Sequence, residues 1–143
     1  MKTVGDVINK KGSQVWSVTP STTVYDVLEL MAEKEIGAVV VLDGGQPIGI
    51  FSERDYARQV VLKGRTSKDT PVREVMASRI VFVRPEQRIE DCMALMTDKH
   101  VRHLPVLQQG TLAGMLSIGD VVKEMISEKE FIIEQLANYI QQG

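Results

Sequence analysis

A serine followed three residues later by an aspartate, at the end of an apolar run that opens on glycine, occurs twice in this sequence. The two segments are Gly49-Ile50-Phe51-Ser52-Glu53-Arg54-Asp55 and Gly114-Met115-Leu116-Ser117-Ile118-Gly119-Asp120. The plain reading is a helix start, with serine as the cap and aspartate at the third helical position answering it. A cap requires neither the glycine nor aspartate in place of glutamate, and both recur. A strand that runs into a helix N-terminus also exposes free amides and the positive end of the helix dipole, which suits a phosphate. A short carboxylate beside it can accept the two hydroxyls of a ribose. The two readings use one geometry and are compatible.

A second signal is Arg102-His103-Leu104-Pro105-Val106, a basic pair entering an apolar run. Beside the serine–aspartate segment it could clamp a phosphate; the alternative is a solvated pair of surface charges. Lys11 and Arg54 are cations of the same kind with a weaker claim, and each reads more simply as an ordinary surface charge. Other residues point to no chemistry. His100 and His103 lie three apart, but no cysteine or carboxylate completes a metal set at plausible spacing. Cys92 falls on an apolar helix face and reads as an inert core thiol. Met93, Met96, Met115 and Met125 read as core filling. No nucleophile elbow and no cluster of metal-binding carboxylates is present, which argues against a hydrolase or nucleotidyl enzyme.

The elements that must position these residues repeat. A shift of 65 aligns Thr19–Tyr56 with Arg84–Val121 without a gap, and 11 of the 38 pairs are identical. They include Pro20/Pro85, Asp26/Asp91, Gly45/Gly110, Gly49/Gly114, Ser52/Ser117 and Asp55/Asp120. The chain is a tandem duplication. Each copy predicts a short strand (Val15–Val18; Ile80–Val83), then a helix with apolar residues at helical spacing. A hairpin follows, through Asp43-Gly44-Gly45 or Gln108-Gln109-Gly110, and a second helix after the serine. In the first copy Gly64 should end that helix. Helical lead-ins precede each copy at Val4–Ile8 and Val72–Met76, the latter with Thr70 as cap and Pro71 at the first helical position. The first lead-in is three residues longer and carries Lys10-Lys11-Gly12. Ser127-Glu128-Lys129-Glu130 has capping-box spacing and predicts a separate final helix.

The fold class is thus α/β (α+β). Two β-α-β-β-α units, 1–65 and 66–127, are related by a pseudo-two-fold axis, and an amphipathic helix over 128–143 follows. Each unit is too small to be secure alone. Packed together they should leave equivalent clefts, where ligands tend to sit.

The balance of 17 basic against 19 acidic residues, for a net charge of -2, argues against a broad nucleic-acid-binding face. No apolar stretch is long enough to span a bilayer, and no signal-peptide core opens the chain. One cysteine excludes an internal disulfide and fits a reducing cytoplasm.

With Val18-Thr19-Pro20, Ile36-Gly37-Ala38-Val39-Val40-Val41 and Tyr56-Ala57-Arg58 added to the motifs above, and Val83-Arg84-Pro85 in the second copy, the chain resembles a tandem pair of CBS domains, a Bateman module of the small bacterial type. The resemblance covers nearly the whole chain. It implies binding of an adenosine-containing ligand (AMP, ADP, ATP, NAD or S-adenosylmethionine) between the two units. It further implies that Asp55 and Asp120 hold ribose, that Ser52 and Ser117 lie near the first phosphate, and that Arg102 and His103 meet phosphates. Main-chain groups near Ala38 and Ile80 would read adenine. It implies a regulatory module and not an enzyme, a homodimer in which four CBS units form a disc, and a regulated partner acting in trans. The first copy has Gly37-Ala38 where the second has Arg102-His103, so the two sites should differ in charge. The competing reading is a dimerisation scaffold in which both serine–aspartate segments are caps alone.

Overall fold

A computed structural model of the chain describes residues 2–12 and 14–142. The elements are α1 (Val4–Lys11), β1 (Ser17–Val18), α2 (Val24–Lys34), β2 (Ala38–Asp43), β3 (Gln46–Ser52) and the short α3 (Glu53–Asp55). A π-helical turn (Tyr56–Val61) and a 3-10 turn (Val72–Glu74) follow, then α4 (Ile89–Lys99), β4 (His103–Gln108), β5 (Thr111–Ser117) and α5 (Ile118–Gln142). They fall into two compact units, Val15–Val81 and a discontinuous one made of Met1–Gln14 with Phe82–Gly143. The N-terminal helix therefore belongs with the second repeat.

In the unit Val15–Val81 the sheet order is β1-β2-β3, with β1 parallel and β3 antiparallel to β2. Val39, Val40 and Val41 are fully buried, as suits a strand covered on both faces. Val24, Val27 and Met31 of α2 meet Val39, Val41 and Phe51 in the core, joined by Val60, Val72 and Val75. Gly44 and Gly45 both take positive φ (57° and 82°), the backbone a two-residue hairpin turn needs to match strand twist. Gly64, at φ 69°, ends the π-helical turn as expected. Thr70 does not cap the next turn. Its buried hydroxyl instead donates to the Thr66 carbonyl at 2.7 Å, and Pro71 stands outside the 3-10 turn in an extended conformation.

The other unit repeats the pattern with β4 and β5, whose turn places Gln109 and Gly110 at φ 53° and 77°. Both hairpins carry an irregularity in the same place, at Val41/Leu42 and Val106/Leu107. Ile89, Cys92 and Met96 form the buried face of α4, with Leu104, Val106 and Leu116 buried in the hairpin. Here two expectations are corrected. Ile80–Val83 forms no strand; only Val83 pairs, in parallel, with Val106. Its amide donates to the Pro105 carbonyl at 3.0 Å, and its carbonyl accepts from Leu107 at 2.9 Å. Proline has no amide hydrogen, so the next ladder bond toward the N-terminus has no donor. The first copy has Val40 at this position, and β1 extends to Ser17. Nor does a new helix open at Ser127: α5 runs unbroken from Ile118 to Gln142. No glycine or proline lies between Gly119 and Ser127, so nothing ends the helix before Ser127.

Cys92 is fully buried, and burial first, then the neighbouring Asp91 and Glu90, pushes its thiol up to about 11. A protonated, covered thiol is a poor nucleophile. A thiol-specific disulfide reagent at pH 8 should therefore leave the native chain unmodified over hours, while unfolded chain reacts fully. Rapid modification of native protein would contradict this.

Candidate functional site

Each serine–aspartate segment lies where the second strand of a hairpin becomes a helix. In the unit Val15–Val81, Ser52 caps α3. Its amide and hydroxyl donate to Asp55 Oδ2 at 2.9 and 3.0 Å, and the Asp55 amide donates back to Ser52 Oγ at 3.3 Å. Strand pairing sets Ala38 opposite Ser52, and the Glu53 amide donates to the Gly37 carbonyl at 3.1 Å. The start of β2, the serine and the carboxylate are thus brought together. Ala38 is buried, whereas Asp55 and Arg54 are half-buried. Arg54 has an interaction of its own. Ile80 is half-buried in the same unit, outside any strand.

In the other unit the same frame is built from β4, β5 and α5. The Ser117 amide donates to Asp120 Oδ2 at 2.9 Å, and the Asp120 amide to Ser117 Oγ at 3.1 Å. His103 lies opposite Ser117 across the hairpin, half-buried and engaged in an interaction of its own. The Ile118 amide donates to the Arg102 carbonyl at 2.9 Å, and the Arg102 side chain is exposed. The basic pair therefore stands beside the serine–aspartate turn.

Lys11 departs from its reading as a simple surface cation. Its ammonium donates to Asp120 Oδ2 at 2.7 Å and to the Met115 carbonyl at 3.0 Å. The Lys11 side chain is 43% exposed and that of Asp120 only 23%. Burial alone would raise the Asp120 carboxyl, but the Lys11 hydrogen bond and the Ser117 amide outweigh it and hold it below the ordinary value of 3.8. The signal in the sequence was the longer first lead-in. Its extra residues extend α1 through Lys11, whereas the lead-in of the other copy makes only the 3-10 turn at Val72–Glu74.

The recurring glycines have a packing cause. A Cβ at Gly114 would lie 2.8 Å from Ile8 Cδ1 and 3.2 Å from Ile8 Cγ2, and one at Gly49 would collide with the Met76 side chain. In both units the lead-in crosses the hairpin at this glycine. Among the described residues, no three His, Cys, Asp or Glu residues are grouped to hold a metal ion. Among the described residues no helix is long and apolar enough to cross a membrane.

Comparison with known proteins agrees with this duplicated architecture. The family model for the CBS domain matches residues 4–62 and again 72–127. The chain is 38% identical to the CBS domain-containing protein CBSX3, mitochondrial, of Arabidopsis thaliana, over 99% of this chain and 73% of the relative. It is 32% identical to the CBS domain-containing protein YhcV of Bacillus subtilis, covering 82% and 83% of the two chains. A solved CBS-domain protein from Burkholderia ambifaria superposes with a TM-score of 0.85 at 48% identity, over 88% of this chain and 95% of that one. The repeats seen in the sequence are two CBS domains, and the chain belongs to the CBS-domain family as a tandem pair.

Proposed function

We propose that this chain is a regulatory module that binds an adenosine-containing nucleotide (AMP, ADP or ATP, or NAD) and, by changing conformation, signals to a partner protein in trans. The observation that carries the reading is the duplicated turn in which a backbone amide and a serine fix a short carboxylate beside a hairpin edge, at Ser52–Asp55 and Ser117–Asp120. Asp55 and Asp120 would accept ribose hydroxyls, with Ser52 and Ser117 toward the first phosphate and main-chain groups at Ala38 and Ile80 toward the base. CBS domains typically bind adenosine ligands, and the Burkholderia relative is named as a candidate signal-transduction protein. Lys11 pairs with Asp120, and Arg102 and His103 lead into the strand opposite Ser117, whereas the first copy has Gly37-Ala38 at the position of the basic pair. The unit holding Asp120 is therefore the one expected to take the more highly charged phosphate. A homodimer in an aqueous, reducing compartment such as the cytoplasm is the setting this reading assumes.

A second reading is a scaffold that takes no nucleotide. It is favoured by one observation: both serine–aspartate turns form reciprocal caps, and both preceding glycines have a packing cause. A thermal-shift panel with AMP, ADP, ATP, NAD and S-adenosylmethionine separates the two. A ligand at 100 times its dissociation constant adds about 2.7 kcal/mol per site. The sensor reading expects a selective upward shift that disappears in Asp120→Ala or Asp55→Ala. No shift with any of the five, on protein shown by mass spectrometry to carry no retained ligand, favours the scaffold.

A further inference from the structure

We infer that Lys11 makes the Asp120 unit selective for adenosine ligands with a 5′-phosphate, because the lysine must exchange one anion for another as the ribose enters. This rests on the nucleotide reading above and adds which members of that class the unit takes. Asp120 Oδ2 already accepts two hydrogen bonds, from the Lys11 ammonium at 2.7 Å and the Ser117 amide at 2.9 Å. Two donors fill the lone-pair positions of one carboxylate oxygen. A ribose that engages a carboxylate through both hydroxyls needs a position on each oxygen, so one of the two donors must withdraw. The Ser117 amide is fixed in its turn, where the Asp120 amide donates back to Ser117 Oγ at 3.1 Å. Lys11 ends a flexible stem and its side chain is 43% exposed, so the ammonium is the donor that can leave.

What the ammonium meets next decides the cost. It also donates to the Met115 carbonyl at 3.0 Å, and so lies at the strand-to-helix turn that the nucleotide reading gives to the first phosphate. A ligand with a phosphate there returns to Lys11 the charge partner that its ribose takes away. Adenosine breaks the pair and offers nothing in exchange. S-adenosylmethionine is worse placed, since its 5′ position bears a cationic sulfonium that repels the ammonium. Selectivity thus comes from a repulsive element as well as an attractive one. The Asp55 unit is built differently. Asp55 Oδ2 is held by the Ser52 amide and the Ser52 hydroxyl, at 2.9 and 3.0 Å. A hydroxyl rotates away without leaving a charge unpaired, so the exchange belongs to the Asp120 unit.

The test uses the full chain in an Asp55→Ala background, so that the Asp120 unit is read by itself. Calorimetric titrations with AMP, adenosine and S-adenosylmethionine compare that chain with its Lys11→Met variant, which keeps the stem and removes the charge. Adenosine should bind Lys11→Met about fivefold more tightly, the worth of a partly exposed ion pair that no longer has to be broken. The preference for AMP over adenosine should fall at least about tenfold, through loss of a charge-assisted contact to phosphate. Lys11→Arg should keep most of that preference. A gain for adenosine is a result that damage to the fold does not produce. Weaker binding of all three ligands to Lys11→Met would show a structural role and overturn the inference. So would AMP binding that needs Asp120 and is indifferent to Lys11, an outcome that leaves the nucleotide reading standing. Binding lost altogether with Asp55→Ala would place the ligand in the other unit and overturn the exchange as well. If the chain with both aspartates intact binds none of the three, the nucleotide reading itself fails, and the exchange with it.

Discussion

Replacing Gly114 with valine is expected to destabilise its unit by about 2–3 kcal/mol, the upper range for overpacking a filled core. Intrinsic preference works the other way, since valine is a better strand former than glycine by up to about 1 kcal/mol. Packing decides the sign. A Cβ at this position already meets three carbons of Ile8 within 3.3 Å, and Ile8 is only 6% exposed. Isoleucine is branched at Cβ and cannot swing aside without leaving its rotamer. The double variant Gly114→Val/Ile8→Ala should therefore recover more than half of the loss in a urea titration, a coupling that two independent sites would not show. The matching change at Gly49 presses on Met76, an unbranched and adaptable side chain, and should cost less than the change at Gly114. Equal losses at the two glycines, or no recovery with Ile8→Ala, would show that the glycines are needed for another reason.

The second large effect concerns acid. Lys11→Met is expected to cost about 1 kcal/mol at pH 6–7, the worth of a charge-assisted hydrogen bond reduced for the exposure of the lysine. Asp120 is held below its ordinary value of 3.8 in the folded unit. The stability it contributes is therefore complete above about pH 4 and is lost as pH falls through the lower, folded value. Removing Lys11 leaves burial opposed by the Ser117 bonds alone, which brings the folded value upward and shrinks that contribution. Melting curves from pH 7 down to pH 2.5 should show the wild-type chain losing stability below pH 4 more steeply than Lys11→Met or Asp120→Asn. Parallel curves for the three proteins would mean that the ion pair carries no net stability.

The duplication, both hairpins and both serine–aspartate turns were legible in the sequence because each depends on local chemistry. The glycines at positive φ in the hairpin turns, the caps and the apolar periodicity act over a few residues. The misreadings arose where partners are remote. Nothing in Ile80–Val83 reveals that the strand it meets carries Pro105, with no amide to donate, next to Val106. A capping-box pattern at Ser127 does not show whether the preceding helix has ended. Lys11 looked like a surface charge because its acceptor, Asp120, lies 109 residues away. The glycine of the repeated motif was legible as a constraint, but its cause, a lead-in crossing the hairpin, was not.

The discontinuous unit has a consequence for the order in which the chain is made. Residues 15–81 are contiguous, so the contacts within that unit have both partners present once the segment has left the ribosome. Helix α1, although synthesised before them, cannot find its place then. The Val4 and Gly5 amides donate to the carbonyls of Gln87 and Pro85, and Lys11 waits for Asp120. During translation the amphipathic N-terminal segment must stay unattached, with Val4, Val7 and Ile8 uncovered, until the second hairpin emerges. Slowing elongation after residue 81 would lengthen that exposed interval, while a long pause before it would change little.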